Sequence, residues 1–341
     1  MLNQPEKTHP KGPEDLASRV RSGSASVAGN SSALHGLAAE SKGSSVWAAS
    51  LGCAASLGCA ASLGSAVSLD CVVSLGGGST TGLGKALALR TGINQLCIPT
   101  TYAGSEMTPI LGETKDGLKT TVRNNDVLPE TVIYDVELTL SLPASLAATS
   151  GINAIAHAVE ALYARDRNPV ISLMAEEGIR ALAGALPSIV ATPGDREARG
   201  QALYGAWLCG VCLGTVGMAL HHKLCHTLGG TFDLPHAETH TIILPHAVAY
   251  NAPLVPDAVE RIARAIGASD AAQGLYDLAR RLDAKLALRD IGMPENGIDK
   301  AAELAVTNAY WNPRPLERNA IRDLIAHAWS GTAPIATRVP A

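Results

Sequence analysis

CVVSLGGGSTTGLGKALALRTG, residues 71–92, decides how this chain reads. Val72-Val73-Ser74-Leu75 is a short apolar run with β-branched residues, which predicts a buried strand. Gly76-Gly77-Gly78-Ser79-Thr80-Thr81 follows, and GLGKALALRTG then reads as a helix ended by Gly92. Strand, glycine turn and helix together present bare backbone N–H groups and a positive dipole end to a phosphate. The turn is neither a G-x-G-x-x-G motif nor a Walker A, and alone a GGGS turn is more often a plain tight connection. Just downstream, Leu96-Cys97-Ile98-Pro99 predicts a second buried strand. It delivers Thr100, Thr101, Tyr102, Ala103, Gly104, Ser105 and Glu106 at its C-terminal end, where ligands sit in an open α/β sheet. Two hydroxyl-rich turns after successive strands tilt the reading toward phosphate.

Upstream lies a repeat. ASLGCA (49–54), ASLGCA (55–60), ASLGSA (61–66), VSLDCV (67–72) and VSLGGG (73–78) are tandem hexads that run into the glycine turn. Five short copies are too few for a β-helix, and we read them as a strand-forming segment, DCVVSL, copied upstream by a recent duplication or by an error in the sequence. The uncharged run from Ser44 to Leu69 is long enough to span a bilayer. Its content is Ala, Ser and Gly with one Leu in six, so its apolarity is weak and no membrane span is expected. The prefix 1–45 has little apolar periodicity and reads as disordered or poorly specified.

Beyond residue 140 the texture becomes helical. Pro143 stands at a helix start, where it is tolerated, and that helix carries Asn153, His157 and Glu160. Asn153 and His157, spaced i, i+4, share a face. Ala202–Leu228 reads as one long helix bearing His222 and His226, broken at Gly229-Gly230. Six of the ten histidines fall between 221 and 246, the strongest chemical signal in the chain, because imidazole serves both as metal ligand and as proton carrier. Cys209-x-x-Cys212 sits in an apolar, Gly-rich helix without a second pair at finger spacing, so a core role is expected.

Composition sets the outer bounds. A chain of 341 residues suggests two domains. A formal charge of −4 gives no basic field for nucleic acid, and a single Phe gives no stacking platform. Seven cysteines at this length fit a reduced, cytoplasmic compartment. No secretory signal is visible in the first 40 residues. We divide the chain into an atypical low-complexity and repeat segment 1–70, read as disordered or poorly specified, a partial dinucleotide-binding α/β domain 71–140 and a helical catalytic domain 141–335.

GGGSTTGLGKALALRTG, IPTTYAGSEMTPILGET, GINAIAHAVEALYA, GMALHHKLCHTLGGTFDLPHAETH and YWNPRPLE together resemble the maleylacetate reductases, a branch of the iron-containing alcohol dehydrogenase superfamily. The resemblance covers 71–331. It implies an α/β N-terminal nucleotide-binding domain plus an all-α C-terminal domain (the dehydroquinate synthase-like, iron-type alcohol dehydrogenase fold), with the active site between them. It implies NADH or NADPH as coenzyme, held by Gly76, Gly77, Gly78, Ser79 and Thr80 at the pyrophosphate. Thr100, Thr101, Ala103 and Ser105 would lie near the nicotinamide, and Lys119 beside the coenzyme. The superfamily's metal positions map to Asn153, His157, His222 and His236. An amide stands where the superfamily has a carboxylate, which favours chemistry without a metal.

The implied reaction reduces the C=C bond of maleylacetate, a small dianion, to 3-oxoadipate. The implied catalytic residues are His157, His222, His226 and His236, with Lys223 toward the substrate; Arg123, Arg314 and Arg318 are further cationic candidates. The resemblance also implies a homodimer. Two other readings stay open: a metal-dependent alcohol dehydrogenase, and a non-catalytic remnant. The remnant is suggested by residues 1–70, which resemble none of the family's first strands. Loss of those strands predicts an exposed sheet edge.

Overall fold

The computed structural model describes residues 45–50, 53–56, 70–115, 118–307 and 309–335, with backbone alone at 45–56 and 113–120. The glycine-turn unit folds as its sequence dictates. Strand β3 (Cys71–Gly76) alternates half-buried and buried positions. It leads through Gly77 into helix α1 (Gly78–Thr91), which Gly92 ends in the left-handed conformation with its N–H on the Ala88 carbonyl. Strand β4 (Asn94–Pro99) pairs parallel with β3, Val73 opposite Leu96. The short β7 (Thr131–Val132) continues the sheet parallel to β4. A separate hairpin, β5 (Ile110–Lys115) and β6 (Leu118–Arg123), springs from the turn after β4.

The other side of β3 departs from expectation. Strands β1 (Ser45–Ser50) and β2 (Cys53–Ser56) form an antiparallel hairpin, and β1 pairs antiparallel with β3, giving the sheet order β2-β1-β3-β4-β7. Part of the segment read as poorly specified is therefore strand, and the β3 edge read as bare is covered. Strand β1 (SVWAAS) begins ahead of the hexad repeat, so the strand that covers β3 is not a copy of it. Most of the hexad repeat, and the disorder expected of 1–44, lie outside the described residues.

Ten helices are described. After α1, they are α2 (Ala144–Tyr163), α3 (Pro169–Ala191), α4 (Arg196–Thr215), α5 (Leu220–Phe232), α6 (His236–Asn251), α7 (Pro256–Ile266), α8 (Ala271–Arg281), α9 (Ile298–Val306) and α10 (Arg318–Ser330). Helix α2 is buried on every side from Ala147 to Tyr163, and small residues at most positions let its neighbours approach. The run 202–228 is not one helix: α4 ends at Thr215, α5 starts at Leu220, and the two bend by 93°. Gly229-Gly230 does not break α5, which continues to Phe232. No single helix among the described residues is long and apolar enough to cross a membrane.

The sheet layer meets the helices at the turn after β4. Gly104 takes φ 75°, and a side chain at Gly210 of α4 would meet the Gly104 carbonyl oxygen at 2.8 Å. A side chain at Gly214 would meet the Met107 carbonyl oxygen at 2.5 Å. Glycine at these positions brings backbone against backbone, and the same turn reaches α2 through Tyr102 N–H on Ser150 and the Ala103 carbonyl on His157.

Candidate active site

The glycine turn has the features of an anion cradle. Gly77 precedes α1 without any side-chain cap, and no acidic residue occupies the first turn. A side chain at Gly77 would meet Thr101 at 3.0 Å, so the two hydroxyl-bearing turns lie together. Thr80 Oγ1 is buried without a hydrogen-bond partner. Free N–H groups, an orphaned hydroxyl and a positive helix end suit a diphosphate. Gly76, Gly77, Gly78, Ser79, Thr80, Thr100, Thr101, Ala103 and Ser105 all fall on these two adjoining turns. Lys119 lies on β6, and its side chain is outside the description.

From the second turn the Ala103 carbonyl reaches the imidazoles. His157 Nε2 lies 3.3 Å from Ala103 O, His157 Nδ1 lies 2.9 Å from His222 Nε2, and His222 Nδ1 lies 2.7 Å from Glu160 Oε2. A carbonyl only accepts, so His157 Nε2 carries the proton; His222 Nε2–H then donates to His157 Nδ1. Burial pushes Glu160 up to about 7 and His222 down to about 3, which shifts the proton between Oε2 and His222 Nδ1 toward the carboxyl. Burial, reinforced by His222, also holds His157 far below the usual imidazole range. The result is a neutral, one-directional chain of hydrogen bonds from Glu160 to Ala103.

Glu160 has a second task. Its Oε2 accepts from Ala219 N–H and its Oε1 from His221 N–H, each at 2.7 Å. Ala219 offers α5 no side-chain cap of its own. A carboxyl from α2 therefore supplies the cap, and this lets the chain break between α4 and α5 inside the protein.

Around this chain the remaining imidazoles gather. His240 on α6 stands 5.0 Å from His222 and 4.2 Å from His236, ring centre to ring centre. His226, one turn beyond His222, is 6.1 Å from it. His226 Nδ1 is 3.0 Å from the hydroxyl of Tyr310, over whose ring Lys223 Nζ sits at 5.9 Å. The structure thus brings together His157, His222, His226, His236 and Lys223. His157 and His222 are buried, while His226 and Lys223 are partly exposed and His236 is open to solvent.

The three arginine candidates are engaged elsewhere. Arg123 donates to the Gly214 carbonyl, buried Arg314 donates to Tyr250 O at 2.9 Å, and Arg318 pairs with Glu303 at 2.9 Å. Cys209 and Cys212 are core residues, and Cys212 Sγ lies 3.7 Å from Ile171 O.

Sequence reasoning missed His240 and Tyr310 and did not see what Glu160 does. Glu160 is i+3 from His157 and His240 is i+4 from His236, helical spacings that mark them as face-sharing neighbours. Tyr310 opens the quoted YWNPRPLE motif, but nothing in its spacing ties it to His226.

The superfamily's metal positions do not make a ready ligand set. Both ring nitrogens of His157 and of His222 are committed to hydrogen bonds, and the buried Asn153 Oδ1 has no partner. The His, Cys, Asp and Glu donors that close within 4.8 Å of one another in a group of three, among the described residues, are those of His221, Cys225 and His240. That triangle is held by hydrogen bonds of its own, His221 Nε2 to His240 Nδ1 at 2.9 Å and Cys225 Sγ to His221 Nε2 at 3.7 Å.

Models of two families match the chain: "Iron-containing alcohol dehydrogenase" over 55–136 and "Fe-containing alcohol dehydrogenase family, C-terminal" over 147–329. The second alone covers more than half of the residues. The chain belongs to the iron-containing alcohol dehydrogenase family. Within that family it is 63% identical over 259 residues to a maleylacetate reductase of Burkholderia cepacia, covering 76% of this chain and 74% of that one. It is 61% identical over 260 residues to one of Sphingobium indicum, with the same coverage. The crystal structure of a maleylacetate reductase from Agrobacterium tumefaciens superposes with a TM-score of 0.76 at 59% identity, over 78% of this chain and 76% of that one. A structure more distant in sequence, that of a 1,3-propanediol oxidoreductase, superposes with a TM-score of 0.73 at 28% identity, over 76% of this chain and 77% of that one. The chain is thus an NAD(P)-dependent oxidoreductase of the iron-containing alcohol dehydrogenase fold.

Proposed function

We propose that this enzyme reduces the C=C bond of maleylacetate to 3-oxoadipate with NADH or NADPH, without a bound metal. One observation carries the reading: the imidazole cluster touches, through His157 and Ala103, the turn that adjoins the glycine cradle. A hydride acceptor bound at the cluster would therefore face a coenzyme whose diphosphate lies on α1. The reduced nicotinamide, when bound, supplies the hydride.

Hydride addition to an enone carbon builds negative charge on the ketone oxygen. His226, His236, Lys223 and the Tyr310 hydroxyl are the groups that substrate can reach. They are donors, as an enolate requires, and Lys223 also offers a cation to a carboxylate. The enolate carbon then takes a proton from His226, which Tyr310 holds in place. The buried chain from Glu160 to Ala103 fixes the cluster behind them. A metal-free site is favoured by Asn153 at the carboxylate position and by the committed nitrogens of His157 and His222. A homodimer in the cytoplasm, acting on small molecules and not on nucleic acid or membranes, completes the proposal.

The test is NADH oxidation with maleylacetate, run with and without a chelator, beside metal analysis of the purified protein. Turnover unaffected by the chelator in a protein without stoichiometric metal is the expected outcome. Turnover that disappears with the chelator and returns with zinc or iron would replace this reading by the metal-dependent one.

A further inference from the structure

Lys85 is a buried, charged side chain of the glycine-turn helix to which the proposed chemistry gives no role. It lies on α1, two turns beyond the glycine cradle, and is fully buried. A buried lysine needs compensation for the water it gives up. Its Nζ finds four oxygens: Ser105 O at 2.6 Å, Thr108 O at 2.7 Å, Thr108 Oγ1 at 2.9 Å and Ile110 O at 2.9 Å. Three are backbone carbonyls of one short stretch, and the fourth belongs to a buried threonine of the same stretch. An ammonium has three donors, so the cage holds every one of them.

That stretch is the turn after β4. On one side its Ala103 carbonyl meets His157. On another, Gly104 and Met107 pack on the glycines of α4. Lys85 ties the same turn to α1, whose first residues form the diphosphate cradle. Glu106, inside the turn, is also buried and accepts from Tyr134 at 2.9 Å, so the turn is fixed from two directions. A rigid tie between the cradle and the turn sets how far the coenzyme's two ends can shift relative to the imidazoles.

We infer that Lys85 is a positioning residue that holds the nicotinamide-side turn in register with the diphosphate turn, so that its loss slows hydride transfer more than it weakens coenzyme binding. The inference rests on the oxidoreductase reading above. Misplacement by about 1 Å costs on the order of 10²-fold in rate, whereas diphosphate contacts at the start of α1 do not involve Lys85.

Lys85→Met keeps the length and removes the ammonium. The expected result is a fall in kcat of about 10-fold or more with NADH affinity, by fluorescence titration, within about threefold. A primary isotope effect from C4-deuterated NADH should rise toward its full value. A variant that is merely less stable would lose active molecules without changing that isotope effect. Thr108→Val removes one acceptor of the cage and should show the same rise with a smaller fall in kcat; it carries the test where Lys85→Met does not fold. An unchanged isotope effect in the folded variant, or loss of NADH affinity as large as the loss of kcat, overturns the inference. Failure of the wild-type chain to bind NADH would instead overturn the oxidoreductase reading.

Discussion

His226 and Tyr310 illustrate how one hydrogen bond can divide labour. His222 sits behind a wall of neighbours, but His226, one turn later, is partly exposed and is held by Tyr310 at 3.0 Å. If His226 delivers the proton, His226→Gln should lower kcat by roughly 10²–10⁴-fold, and Tyr310→Phe by a smaller factor, in steady-state NADH oxidation. Equal, slight effects from both would remove His226 from the mechanism. Asn153 poses the opposite question. Its orphaned Oδ1 suggests a place for a carboxylate, but the nitrogens of His157 and His222 face one another and their hydrogen-bond partners. Asn153→Asp alone should therefore leave metal content by elemental analysis far below one ion per chain. Stoichiometric zinc in that variant would show that the imidazoles can turn to meet an ion.

At the scale of elements, the bend between α4 and α5 is the feature on which the site depends. It ends one helix, starts another, and turns His221 and His222 inward at the new start while Lys223 stays partly exposed. The N–H groups exposed by the break are taken by Glu160 of α2. Glu160→Ala should cost about 1–3 kcal/mol for each buried donor left unpaired, read as a lowered urea midpoint. Glu160→Gln, which keeps one carbonyl acceptor, should lose less. A Glu160→Ala chain as stable as wild type would mean that the break caps itself.

For the whole molecule, the concentration of buried imidazole has a consequence for acid stability. Burial holds His157, His221 and His240 well below the usual 6.5, His222 near about 3 and His246 near about 4. Below pH 6.5 the unfolded chain binds protons that the folded chain refuses, so stability falls as pH falls toward 4. Each imidazole contributes up to about 1.4 kcal/mol per pH unit in that window. Glu160 acts the other way: raised to about 7, it keeps a proton that the unfolded chain releases between 4.5 and 7, so it gains stability as pH falls. Five groups outweigh one. Urea midpoints should drop steeply from pH 7 to pH 5, and His246→Gln, which lies away from the cluster's hydrogen bonds, should make the drop shallower. A midpoint that holds constant across that range would contradict the buried, neutral cluster.

The sequence by itself determined the strand, glycine turn and helix of 71–92, the second strand and the helical texture after 140, because each rests on local periodicity or turn chemistry; the family resemblance singled out His157, His222, His226 and His236. Tertiary structure alone decided the break at 216–219, the roles of Glu160, His240 and Tyr310, and the burial of Lys85. In the sequence Lys85 is one more lysine on a helix, and α5 looks like a continuation of α4. What changes both is a partner far along the chain: a carboxyl about sixty residues before the break, and a cage of carbonyls about twenty residues beyond the lysine. Hydrogen bonds between distant segments leave no periodic trace, since nothing in the local spacing records which group will be waiting on the other side.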